Sequence, residues 1–176
     1  MPREPSTKEK WGLILKVWVL NILLVPIILL IGSFFSETNH YALIRYAARN
    51  YPIYFVDLDR FNIFFWYTLD AALEEEIRFR FPGWIVLFVL TKLKFEIKNY
   101  NFAWISVWFT VVVFSILWAL GHPSSIAVYS ILFAGLTWGW LVVKTGNIWP
   151  AIVAHILANT SIYFLIKILL AIGYKI

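Results

Sequence analysis

Residues 102–143 read FAWISVWFTVVVFSILWAL, then GHPSS, then IAVYSILFAGLTWGWLVV. The first run, Phe102 to Leu120, and the second, Ile126 to Val143, are apolar on every face. Each approaches the roughly 20 residues that a helix needs to cross the hydrocarbon of a bilayer at about 1.5 Å per residue. A helix of a soluble protein confines its apolar residues to one stripe, so both runs read as membrane spans. Gly121-His122-Pro123-Ser124-Ser125 interrupts what would otherwise be one continuous apolar stretch.

Working outward, Trp11 to Ile31 is a further span, with Lys16 able to snorkel and Pro26 able to kink it. Ile148 to Ala171 follows the turn Lys144-Thr145-Gly146-Asn147 as the last span, with Pro150 tolerable in its first turn. Phe61 to Arg80 begins as a span and ends in charge. Phe81-Pro82-Gly83 then reads as a break, which leaves Trp84 to Leu90 too short to cross. Gly32 to Arg60, with His40, Arg45, Arg49, Asp57 and Asp59 among aromatics, reads as a loop plus an interfacial amphipathic helix. The expectation is an all-α, polytopic transmembrane bundle of about five to six helices. One membrane domain covers residues 11–176 behind a polar segment at 1–10.

Composition agrees, since 61% of the residues are hydrophobic, 14% are charged and the mean hydropathy is +0.76. Ten Trp and nine Tyr suit the belts where amphipathic rings sit at headgroup depth. The chain has no cysteine, which excludes disulfides, thiolate metal sites and a cysteine nucleophile. The net charge of +5 is scattered between apolar runs, a pattern that orients spans and does not make a nucleic-acid surface. Arg3, Lys8 and Lys10 favour a cytoplasmic amino terminus, and Lys92, Lys94 and Lys98 agree if Trp84 to Leu90 does not cross. The run after Lys10 lacks a small-residue cleavage site and reads as a retained span. A multi-pass protein of the cell membrane is therefore expected, with the lipid bilayer as its surroundings.

An ionisable residue inside a bilayer costs roughly 2.5 to 3.5 kcal/mol on insertion scales, so each one is a functional candidate. In Glu74-Glu75-Glu76-Ile77-Arg78-Phe79-Arg80, helical spacing faces Glu74 with Arg78 and Glu76 with Arg80. Glu75 is left comparatively unpaired, and a carboxylate in apolar surroundings suits a general base working near neutral pH. The same cluster also reads as a solvated helix end with surface ion pairs. His155 and Asn159 share a face of the last span one turn apart, among Ile152, Val153, Ile156 and Leu157. Such a pair can donate to a developing oxyanion, or it can knit helices together. His122, in the Gly-His-Pro break, can orient water beside a carboxylate or sit in a wet loop. Gly135 and Gly139 add a Gly-x-x-x-Gly spacing that permits close helix approach.

Taken together, these residues resemble the CPBP family of CAAX proteases and bacteriocin-processing enzymes, which includes the type II prenyl-protein endopeptidases. The pattern EExxxR is met by Glu75, Glu76 and Arg80, FxxxH by Trp118 to His122 with Trp in place of Phe, and HxxxN by His155 and Asn159. The stretch from Phe133 through Trp138 to His155 is similar as well, and the resemblance covers Leu73 to Thr160. It implies a glutamate-dependent intramembrane endopeptidase without a cofactor or metal. Glu75 and His122 would activate a water, His155 and Asn159 would stabilise the oxyanion, and Glu76 and Arg80 would support the site. The implied partner is a membrane-anchored peptide or protein, such as a prenylated CAAX-type tail, a C-terminal sorting tail or a bacteriocin leader.

Hydropathy alone puts His122 and His155 near opposite membrane faces, a conflict resolved if the Gly-His-Pro segment dips into the bundle around a wet cavity. Three other readings compete. The acids and histidines could bind a divalent metal, although no His-Glu-x-x-His helix is present. The chain could be a non-catalytic immunity or scaffold protein of the same fold. His122 and His155 could be axial haem ligands.

Overall fold

The computed structural model describes residues 5–34, 52–92, 100–122 and 127–172. Among the described residues five long helices carry the fold: α1 (Thr7–Phe34), α2 (Phe61–Lys92), α3 (Tyr100–Leu120), α4 (Ala127–Thr145) and α5 (Trp149–Ala171). Two short 3₁₀ turns, Pro52–Phe55 and Leu58–Arg60, lead into α2. This is the all-helical membrane bundle that the apolar runs foretell. Among the described residues, segments Thr7–Ile28, Val128–Thr145 and Trp149–Ala171 are long and apolar enough to cross a membrane, and Ile105–Leu120 is a shorter apolar helix. Phe109, Leu120, Leu23 and Ile168 point outward as lipid-facing surface.

α1 begins at Thr7, inside the polar amino-terminal segment. Ser6 and Glu9 explain the start. The Ser6 hydroxyl accepts from the Glu9 N–H at 3.3 Å and the Glu9 carboxylate accepts from the Ser6 N–H at 2.6 Å, a reciprocal box that satisfies two free donors of the first turn.

The expected break at Phe81-Pro82-Gly83 does not occur, and α2 runs through Pro82 to Lys92 as one helix. Proline removes one backbone donor, but a membrane bundle can compensate through its neighbours. Here Phe81, Trp84 and Phe88 stack in series with ring centroids 5.3 Å apart at each step, a ladder that bridges the proline. Gly83 lies close against α3, where an added Cβ would meet Val111 at 3.5 Å. Trp84 Nε1 donates to the carbonyl of Gly146 at 2.9 Å, which ties the second half of α2 to the turn before α5. The segment Trp84 to Leu90 is therefore neither re-entrant nor separate.

α4 is the central helix and packs against all four others. Its small residues make this possible: Ala134 and Gly135 are buried, as is Gly139, where an added Cβ would lie 2.4 Å from Val111 of α3. The Gly-x-x-x-Gly spacing thus faces α3. On the opposite side, Asn21 of α1 donates to Thr137 Oγ1 at 2.9 Å, while Trp18 Nε1 of α1 donates to Ser161 of α5 at 3.0 Å. The shared core comprises Ile14, Val17, Trp118, Ala134, Trp138, Leu141 and small alanines of α5.

Thr145 and Gly146 end α4, with Gly146 at φ +64° in the left-handed conformation that glycine adopts without strain. Asn147 Oδ1 then accepts from the Trp149 N–H, and Pro150 occupies the first turn of α5 as its spacing suggests. At the far end of α5, Tyr163 is buried, stacks on Phe64 at 4.3 Å and donates its hydroxyl toward the carbonyls of Val56 and Asp57. The interfacial helix expected within Gly32 to Arg60 falls mostly on residues 35–51, outside the described residues.

Candidate active site

Three successive glutamates on α2 point in different directions, because neighbours on a helix are about 100° apart. Glu74 faces outward and pairs with exposed Arg78. That pair is the solvated surface contact that composition alone would suggest for the whole cluster. Glu76 faces inward and is fully buried, 3.5 Å from the Nε of Arg80, whose side chain is only 1% exposed. Glu75 lies between these extremes at the edge of the interior, with its side chain 32% exposed.

The interior acids meet groups from two other helices. Glu76 Oε1 lies 3.1 Å from His155 Nδ1 of α5. A carboxylate accepts only, so Nδ1 carries the proton and Nε2 is left facing Glu75 Oε2 at 3.9 Å. That separation is too long for a direct hydrogen bond. An oxygen atom lying to one side can touch both groups. Glu75 Oε2 also accepts from Trp118 Nε1 of α3 at 2.6 Å.

Trp118 is the hub of the cluster. The Arg80 guanidinium sits 4.8 Å over its ring, and its centroid lies 5.3 Å from Trp138, 5.8 Å from His155 and 5.2 Å from His122. Trp138 of α4 completes the wall by stacking on His155 at 4.1 Å. His122, just past the end of α3, has its Nδ1 2.8 Å from the Trp118 carbonyl. The carbonyl can only accept, so this nitrogen is the donor and Nε2 is free to accept a proton from water.

Trp118 links the two histidines, its ring centroid lying 5.2 Å from that of His122 and 5.8 Å from that of His155. Val111 of α3 lies level with Gly139 of α4, and Ser115 with Gly135, the pairing of two antiparallel neighbours joined end to end. Helical side chains also lean toward their own amino terminus, which carries the indole of Trp118 deeper into the bundle. From the sequence, the Gly-His-Pro segment is expected to dip into the bundle. Residues 123–126, on which that expectation rests, lie outside the described residues.

Asn159 is half-buried one turn beyond His155 and makes no hydrogen bond among the described residues. The structure thus joins Glu75, Glu76, Arg80 and His155 directly and His122 through Trp118, and it leaves Asn159 beside the group. Sequence patterning missed Trp138, whose only signal is its place in the stretch leading to His155. Several buried polar atoms here make no hydrogen bond among the described residues: all three Arg80 nitrogens, Glu76 Oε2, Ser115 Oγ and Trp138 Nε1. Buried groups of this kind are met by water or ligand, so the region can hold water well inside an apolar bundle. Among the described residues no three His, Asp or Glu side chains are arranged to hold a metal ion.

One comparison with known proteins yields a match: the family model described as "Type II CAAX prenyl endopeptidase Rce1-like" covers residues 58–161. The matched region begins upstream of Leu73, where the motif resemblance starts, and so takes in the whole first half of α2. No curated protein and no solved structure matches.

Proposed function

Because this chain belongs to the Rce1-like family of type II CAAX prenyl endopeptidases, we propose that it is a glutamate-dependent intramembrane endopeptidase of the cell membrane, with Glu75 as its general base. The substrate is a membrane-anchored peptide or protein, a prenylated CAAX-type tail being the first candidate. The observation that carries the reading is the position of Glu75: half-exposed, hydrogen-bonded through Oε2 to Trp118, and 3.9 Å from His155 Nε2.

Glu75 takes a proton from a water held against Nε2 of His122 as the water oxygen bonds to the scissile carbonyl carbon. The carbonyl π pair moves to oxygen, and the resulting oxyanion accepts from the Asn159 amide and from His155. His155 makes that contact through Nε2, since Nδ1 is engaged by Glu76. Collapse breaks the carbon–nitrogen bond, and Glu75 returns its proton to the leaving amine. Glu76 and Arg80 hold His155 and Trp118 in place without touching the peptide.

The test compares wild type, Glu75→Gln and His122→Ala in the same membranes with a prenylated tail reporter. Both variants accumulate as folded protein and fail to release the tail. Normal processing by both would refute the assignment.

A further inference from the structure

Glu75 has two carboxylate oxygens in unlike surroundings. Oε2 accepts the Trp118 N–H at 2.6 Å and is the oxygen nearest His155. Oε1 has no hydrogen-bond partner among the described residues, on a side chain that keeps partial exposure. The donor to Oε2 is unusually well fixed. One face of the indole carries the Arg80 guanidinium, the rings of Trp138 and His155 lie 5.3 and 5.8 Å from it between centroids, and its Cε3 would lie 3.1 Å from a Cβ added at Gly135. Tryptophan Nε1 donates and never accepts, so it is held most strongly by the carboxylate oxygen that carries no proton.

We infer that Trp118 is a positioning residue for Glu75: its N–H clamps Oε2 and thereby assigns Oε1 as the atom that receives the proton from water. This rests on the reading of Glu75 as general base. A carboxylate without the clamp is free to turn about its last side-chain bond and to offer either oxygen, so fewer encounters with water are productive. A hydrogen bond to a charged group is strong enough that its loss lowers kcat about tenfold or more. KM stays within about twofold, because the indole N–H does not face the peptide's binding groups.

The experiment has a spectroscopic arm and a kinetic arm. The full chain labelled with ¹⁵N-tryptophan in detergent micelles gives ten indole N–H resonances, and the one missing from Trp118→Phe belongs to Trp118. In Glu75→Gln that resonance moves upfield as its charged acceptor disappears. A Trp118 resonance that does not respond to Glu75→Gln overturns the inference whatever the cleavage assay reads. In the kinetic arm, Trp118→Phe and a variant carrying benzothienylalanine at position 118 are assayed for tail release. The analogue keeps the fused-ring shape and replaces N–H by sulfur. Both lose kcat and keep KM; full activity of the analogue shows that Trp118 acts by shape alone and overturns the inference. If wild type cleaves no tail while the resonance responds as stated, the assignment of Glu75 as base falls and the clamp itself stands.

Discussion

Replacing Glu76 with glutamine leaves the shape of the buried site nearly unchanged and removes its charge, which makes it a sharp probe of what holds α2 against α5. The Arg80 guanidinium is 3.5 Å from Glu76 and has no other partner at ion-pair distance among the described residues. Two unit charges at that separation, with an effective dielectric of about 20, attract by about 5 kcal/mol. Breaking a buried pair by deleting one partner generally costs about 3 to 5 kcal/mol, so the two scales agree. Against the 5 to about 15 kcal/mol that holds a typical domain folded, Glu76→Gln is severely destabilising. Arg80→Met should cost less, because Glu76 keeps His155 at 3.1 Å when the guanidinium is gone. The double variant should recover most of the stability lost in Glu76→Gln, since no unpaired buried charge remains. Equilibrium unfolding in mixed micelles, run as a double-mutant cycle, measures the coupling directly. A Glu76→Gln protein as stable as wild type, or a coupling below about 0.5 kcal/mol, would refute the reasoning.

Three further outcomes are expected. Gly139→Ala drives a Cβ to within 2.4 Å of Val111 and destabilises by about 1 to 3 kcal/mol, less a gain of about 1 for the better helix former; Val111→Ala in the same chain relieves the clash, as thermal unfolding will show. Asn159→Ala lowers kcat about 10² to 10³-fold with little change in KM if its amide meets the oxyanion, measured by steady-state tail release. Protein washed with a chelator and analysed for metal retains its cleavage rate, and a rate restored only by added zinc would favour the metal-dependent alternative.

The spans were legible because a lipid-facing helix must be apolar all round, and α1, α3, α4 and α5 each carry such a run. The break proposed at Pro82 was misplaced for a physical reason. Phe81-Pro82-Gly83 has the local chemistry of a stop signal, whereas the aromatic ladder and the Trp84 bond to Gly146 that carry α2 through it depend on partners up to 62 residues away. At the site, i,i+4 spacing is enough to pair Glu74 with Arg78 and Glu76 with Arg80. It cannot tell which pair is wet and which is buried, and only the packing of α5 against α2 brings His155 to Glu76. Trp118 is visible in the sequence as a departure from a phenylalanine pattern, but its contact with Glu75 depends on how α3 packs against α2, 43 residues away in sequence. Trp138 carries no ionisable group, so nothing in its local sequence marks it as a neighbour of the histidine.

The unbroken course of α2 has a consequence for how the protein sits in its solvent. Its 32 residues at 1.5 Å each extend about 48 Å, well beyond the roughly 30 Å slab of acyl chains. The rod must therefore lean or protrude, and the acids near its midpoint lean with it. Thicker and thinner bilayers set different inclinations of such a helix, so acyl-chain length becomes a dial on the depth of Glu75, and on cleavage if Glu75 is the base proposed above.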